Sequence, residues 1–186
     1  MTLLEIFKHK QLHDETAFKQ WFGNSKIIDD EGNPAICYHA SPNDFKEFIP
    51  GGVDPKISGY AMWFSMDPHN QPAAHNTNVR GGYKTGTNVM PVYIKMERPM
   101  VIDTIVDLEW ARQVFANGSR EFPQIMLHDW VKEVTRDGEY DGIYFDAKAL
   151  GWRDGVVELV VFNPKQVKSA LGNSGNFGTD TSDITR

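Results

Sequence analysis

Val157-Glu158-Leu159-Val160-Val161-Phe162-Asn163-Pro164 decides the fold class. It is the strongest strand signal in the chain, expected over Val156 to Phe162, and an acidic side chain stands near its start. Strand alternation puts Glu158, Val160 and Phe162 on one face and Leu159 and Val161 on the other. A glutamate at that position is held by a rigid element, as precise placement of a carboxylate requires.

Outward from this strand, short strands and scattered helices follow one another without regular alternation. Lys26 to Asp29 and Ala35 to His39 read as strands joined by the turn-rich Asp30-Glu31-Gly32-Asn33-Pro34. Ala61 to Ser65 and Val89 to Met96 read as two more, the latter closed by Pro99. Helical spacing marks Asp14 to Phe22, with Phe18, Trp21 and Phe22 on one side. It recurs over Leu108 to Phe115 and Gln124 to Thr135, with Trp110 and Val114 as the expected buried stripe of the former. Residues 41–59 and 66–88 read as long loops, the second too long for an ordinary connection. This pattern gives an α+β class rather than a doubly wound sheet.

Whole-chain properties exclude several functions. At 186 residues the chain suits one domain. With 19 basic against 25 acidic residues and no basic cluster, a broad electrostatic grip on nucleic acid is not expected. Only a small basic patch is read around Lys165 and Lys168. The single cysteine, Cys37, excludes an intramolecular disulfide and a Cys-pair metal site. The first residues lack a signal-peptide pattern, and no apolar run is long enough for a membrane helix. From Gly172 onward the residues are small and polar, and a loose tail is expected. The expected organisation is an extension over 1–16, a domain over 17–171 and a flexible tail over 172–186.

His-Glu-x-x-His, Cys-x-x-Cys, Gly-x-x-x-x-Gly-Lys and Gly-x-Gly-x-x-Gly are all missing, which counts against zinc hydrolases, P-loop NTPases and Rossmann dehydrogenases. What remains is three separated segments: Tyr38-His39-Ala40-Ser41, Gly59-Tyr60-Ala61-Met62-Trp63-Phe64-Ser65, and Val157-Glu158 running on to Ser169-Ala170. In this order they resemble the His–Tyr–Glu branch of ADP-ribosyltransferases, which includes diphtheria-toxin-like and poly(ADP-ribose) polymerase catalytic domains. The similarity is closer to ADP-ribosyltransferase domains of large polyvalent proteins of phages and mobile elements. Phe18-x-x-Trp21-Phe22-Gly23 resembles that group's entry, and Gly172-Asn173-x-Gly175-x-Phe177 its exit.

The resemblance implies two small antiparallel sheets forming an NAD cleft, with NAD as co-substrate and no metal. Glu158 is then the catalytic carboxylate beside the nicotinamide ribose, where breaking the glycosidic bond builds positive charge. His39 is implied to bind the adenosine ribose, with Tyr38, Ala40 and Ser41 around it. Ala40 stands where relatives carry glycine, which is tolerable only if the backbone there avoids positive φ. Trp63 and Ser65 fall in the central motif; Trp63 takes the slot of the family's tyrosine, and core packing is its equal alternative. His75 stands near the slot of a second tyrosine. Trp152 and Arg153 lie in the loop that helps choose the acceptor in relatives. Val156 replaces the Glu or Gln of arginine-modifying relatives, which argues against arginine as acceptor.

The function so implied is transfer of ADP-ribose from NAD to a macromolecule, a protein rather than nucleic acid, in a bacterial cytoplasm and from a phage-type source. Two alternatives stay open: NAD glycohydrolysis with water as acceptor, and a binding module that has lost catalysis. The oligomeric state and the acceptor are not read from the sequence. Whichever holds, His39 and Glu158 are expected to face one cavity.

Overall fold

A computed structural model describes residues 15–41, 44–50, 61–68, 88–116, 134, 138–151 and 155–186. The expected helix Gln124–Thr135, apart from Val134, and the candidate residues His75, Trp152 and Arg153 lie outside them, as does most of the 66–88 loop.

In chain order the elements are α1 (Glu15–Phe22), β1 (Cys37–Ser41), β2 (Met62–Ser65), β3 (Asn88–Ile94), β4 (Pro99–Ile102), α2 (Ile105–Ala116), β5 (Gly142–Asp146), β6 (Val157–Val161), a single 3-10 turn (Pro164–Gln166) and β7 (Val167–Ser169). The strands form one seven-stranded sheet in the order β4-β5-β6-β2-β1-β3-β7. This corrects the expected pair of small sheets. Every neighbouring pair is antiparallel except β4 and β5, which run parallel.

The sheet is nonetheless weakly joined at one seam. β2 and β6 pair at four positions and β1 and β3 at five, whereas β1 and β2 pair only at Tyr38↔Ser65. Two well-knit blocks, β4-β5-β6-β2 and β1-β3-β7, therefore meet through one rung.

Apolar side chains cover both faces, as the sequence of β6 dictates. Leu159 and Val161 join one core cluster with Met62, Phe64, Cys37, Val92 and Ile94. Val160 joins the other with Ile143, Met100, Ile102 and Leu108, against which Trp63 and Phe162 pack. Burying each of these large side chains stabilises the fold by roughly 1.5–3 kcal/mol. Two glycines permit the β5–β6 hairpin. A Cβ on Gly142 would stand 2.8 Å from the Val160 carbonyl oxygen, and one on Gly155 would stand 2.5 Å from the Ala147 carbonyl carbon.

Four local expectations change. Lys26–Asp29 makes no strand, only an isolated bridge of Ile28 with Pro34, because Asp29 turns the chain at once by accepting the amides of Glu31 and Asn33. α2 buries Leu108 and Ala111, while Trp110 is 45% exposed; the helix rests on the sheet through its small side. β4 and β7 were not read from the sequence, being short and flanked by proline and charge.

The fourth change is the tail. Residues 172–186 are packed, not loose. Asn173, Phe177 and Ile184 are buried. The Ser169 and Ser174 amides donate to the carbonyls of Ile184 and Thr185, and the Ile184 amide donates to the Lys46 carbonyl. Phe177 holds a positive φ of 41° while its ring meets Phe18 and Trp21 of α1 at 4.9 and 6.0 Å between centroids. That backbone is uncommon for a bulky residue, so the aromatic cluster outweighs its cost. Composition suggested disorder because the two apolar anchors, Phe177 and Ile184, are sparse; backbone hydrogen bonds do the rest.

Lys168 is likewise no surface charge. It is fully buried, and its ammonium donates to the carbonyls of Thr181 and Asp183 at 2.9 and 3.0 Å. Desolvation lowers its pKa to about 8, against a partly opposing pull from Asp183.

Candidate functional site

The seam between β1 and β2 is where the three sequence segments meet. Tyr38 pairs with Ser65, and Ser65 pairs with Glu158. Residues 38, 65 and 158 therefore form one row across three strands, each step about 4.8 Å. Directly paired side chains share a face, so Tyr38, Ser65 and Glu158 point the same way, as does Phe145 opposite Glu158 on β5.

Glu158 is half-buried, and no hydrogen bond or ion pair reaches its carboxylate among the described residues. Burial alone pushes its pKa up. A carboxylate in that state keeps all its acceptor capacity for something outside the fold. The neighbouring groups are already engaged. The Ser65 hydroxyl oxygen accepts the Asp67 amide at 2.9 Å, and the Met66 amide donates to the Val157 carbonyl, fixing the end of β2 against the start of β6. The Tyr38 phenol is pushed up by burial, with negative charge at Asp67 adding to it.

His39 follows Tyr38 and so faces the other side of the sheet. Its ring packs on Phe48, Phe64 and Phe45 with centroids 4.9, 5.4 and 6.1 Å away. His39 and Glu158, expected to face one cavity, thus do not share a face of the sheet. The register Tyr38↔Ser65↔Glu158 places them one residue out of step, and pleat alternation turns them to opposite faces. They stay close in the fold, two strands and one residue apart, across the only thin seam of the sheet.

The His39 ring also spans that seam. Its Nδ1 lies 2.8 Å from the Trp63 carbonyl oxygen. A carbonyl only accepts, so Nδ1 carries the proton, which in a neutral ring leaves Nε2 as the acceptor. Beyond the single rung, the tie between β1 and β2 runs through a side chain rather than a ladder.

The remaining candidates fall into place around this seam. Ala40 and Ser41 end β1, buried and paired with Val89 and Asn88 of β3. Ala40 has no positive φ, so the methyl that replaces glycine's hydrogen is accommodated. Trp63 is half-buried against the second core cluster, while its backbone serves His39. Phe45 and Phe48, which box the imidazole, were missed because they sit in a segment read only as a Pro/Gly-rich loop. The spacing Phe45-x-x-Phe48 within that polar run was the available signal. No group of three His, Cys, Asp or Glu side chains among the described residues is placed to hold a metal ion. No helix among them is long and apolar enough to cross a membrane.

Comparison with known proteins gives a single finding. No curated protein and no solved structure matches the chain. Residues 29–177, however, match the family described as ADP-ribosyltransferase in polyvalent proteins, and that span contains the whole row of Tyr38, Ser65 and Glu158 together with His39. The chain belongs to the family of ADP-ribosyltransferases in polyvalent proteins.

Proposed function

We propose that this chain transfers single ADP-ribose units from NAD to a macromolecular acceptor, a protein rather than nucleic acid, and that it works on the His–Tyr–Glu pattern. The observation that carries this is the half-buried Glu158 carboxylate, without a partner among the described residues and set in one row with Ser65 and Tyr38, beside the seam that His39 bridges. NAD would lie across the seam, its nicotinamide ribose towards Glu158 and its adenosine ribose towards Nε2 of His39. The pleat puts these groups on opposite faces, so no single face of the sheet carries both contacts.

In the reaction, the C1′–N bond of the nicotinamide ribose breaks and its electron pair leaves with nicotinamide. The ribose becomes oxocarbenium-like, the acceptor's nucleophile bonds to C1′, and the nucleophile's proton passes to solvent water. The Glu158 carboxylate stabilises charge that exists mainly in the transition state, from a partly desolvated position. Desolvation that raises its pKa also strengthens its field at the sugar. Trp152 and Arg153 are proposed contacts to the acceptor, and Trp63 and His75 contacts to nicotinamide. A phage or mobile-element polyvalent protein acting in a bacterial cytoplasm is the proposed setting; the family's description supplies the polyvalent protein alone.

Incubation with NAD labelled in the adenylate moiety and a bacterial extract tests this. Label on protein is expected. Free ADP-ribose alone would make the chain a glycohydrolase, and intact NAD would make it a binding module. His39→Ala is expected to weaken NAD binding roughly tenfold, the worth of one good hydrogen bond. An unchanged dissociation constant removes His39 from the site.

A further inference from the structure

The family match stops at residue 177, yet residues 181–186 complete the wall behind His39. Ile184 is buried in the same core cluster as Phe48 and Phe64, and both of those rings touch the imidazole. The Ile184 amide donates to the Lys46 carbonyl, and Asp183 forms a β-bridge with Glu47. The Ser182 hydroxyl donates to the Glu47 carboxylate. On its other side the segment is tied to β7: the Ser169 amide donates to the Ile184 carbonyl, and the buried Lys168 ammonium donates to the carbonyls of Thr181 and Asp183. One continuous set of contacts thus runs from Lys168 through residues 181–184 to Lys46-Glu47, and from there to the rings on either side, Phe45 and Phe48.

We propose that residues 178–186 form a strap that positions the His39 ring, with Lys168 as its anchor and Ile184 as its wedge. The physical reason lies in the imidazole's surroundings. A ring whose Nδ1 must meet the Trp63 carbonyl needs its plane fixed, and three aromatic neighbours among the described residues help to fix it. Phe45 and Phe48 belong to a short segment between β1 and β2 with no regular structure. Among the described residues its bridge to the strap ties its backbone down, beside the packing of Phe48 in the core. Loosening the strap lets Phe48 shift, and the imidazole with it. Lys168, Ile184 and Phe48 are positioning residues; none of them is required to touch a ligand. The role in NAD binding rests on the reading of His39 given above, whereas the role in orienting the ring does not.

The test uses the full chain with nitrogen-labelled histidine, comparing the parent with Ile184→Ala and Lys168→Met. Ring nitrogen shifts report the tautomer of His39, and calorimetric titration reports NAD affinity. The parent is expected to show the Nδ1-protonated form alone. The variants are expected to mix tautomers and to bind NAD roughly three- to tenfold more weakly, with turnover at saturating NAD little changed. Ile184→Val, which deletes one methylene, serves if the larger changes do not fold, and is expected to shift the same signals by less. Folded variants with parental His39 signals overturn the strap. Shifted signals in the variants of a parent that binds no NAD would leave the strap standing and remove the proposed function instead.

Discussion

Two ionisable side chains on successive strands of the chain, set apart in one sheet, are treated in opposite ways. Lys168 on β7 is fully buried, yet both ends of its interaction are provided for, by the carbonyls of Thr181 and Asp183. Glu158 on β6 is only half-buried, yet no described group donates to it. Burial lowers the first pKa and raises the second, in each case disfavouring the charged form. A buried charge with partners belongs to the fold's own bonding. A desolvated charge without them costs stability that nothing in the fold returns, and such a residue is the mark of a site.

The contrast is broken most sharply by mutation. Glu158→Gln keeps shape and removes charge, so transfer is expected to fall by about 10²–10³-fold, the size of losing one electrostatic contact to a transition state. A labelled-NAD time course measures it, and a rate within a few-fold of the parent ends the assignment. Lys168→Met is expected to be the most destabilising change, by about 2–4 kcal/mol, because two carbonyls lose their donor inside the fold. A urea titration reads the shift in midpoint.

Glu158→Gln should have the opposite effect on the same titration, stabilising the chain on the order of 1 kcal/mol at pH 7. The gain should shrink as pH falls. With its folded-state pKa raised, Glu158 is protonated sooner in the fold than in the unfolded chain, so the parent recovers this stability in acid. A variant equal to the parent at pH 7 would mean that the carboxylate has partners after all.

The smallest effect concerns pH on the alkaline side. The folded pKa of Lys168 is about 8, below the roughly 10.4 of an unfolded lysine. Between these values the unfolded chain binds more protons, so stability should rise with pH. The expected gain from pH 7.5 to 9.5 is about 1 kcal/mol, net of tyrosines such as Tyr93 whose burial-raised pKa works the other way. In Lys168→Met the rise should vanish. A parent curve that falls across this range would show that the ammonium is not desolvated.

Much of the site was legible in the sequence because period-2 alternation is a local rule. It sorted Glu158, Val160 and Phe162 from Leu159 and Val161, and the two core clusters follow that division. The motif segments also named the three strands that meet at the seam. Lys168 was misread for the converse reason: composition shows a lysine's charge but not the carbonyls that a distant segment brings to it. The same holds for the tail, where Phe177 and Ile184 look isolated until α1 and residues 44–48 are folded against them.

What the chain determined alone was which residues alternate, which turn and which carry chemistry, since these depend on neighbours within a few positions. Only the tertiary structure decided how the strands are phased. The single rung Tyr38↔Ser65, with Ser65↔Glu158 beside it, turned His39 and Glu158 to opposite faces. Register between strands far apart in sequence is set by packing and hydrogen bonds that close over long loops, and a slip of one residue reverses every side chain. No local pattern encodes that phase.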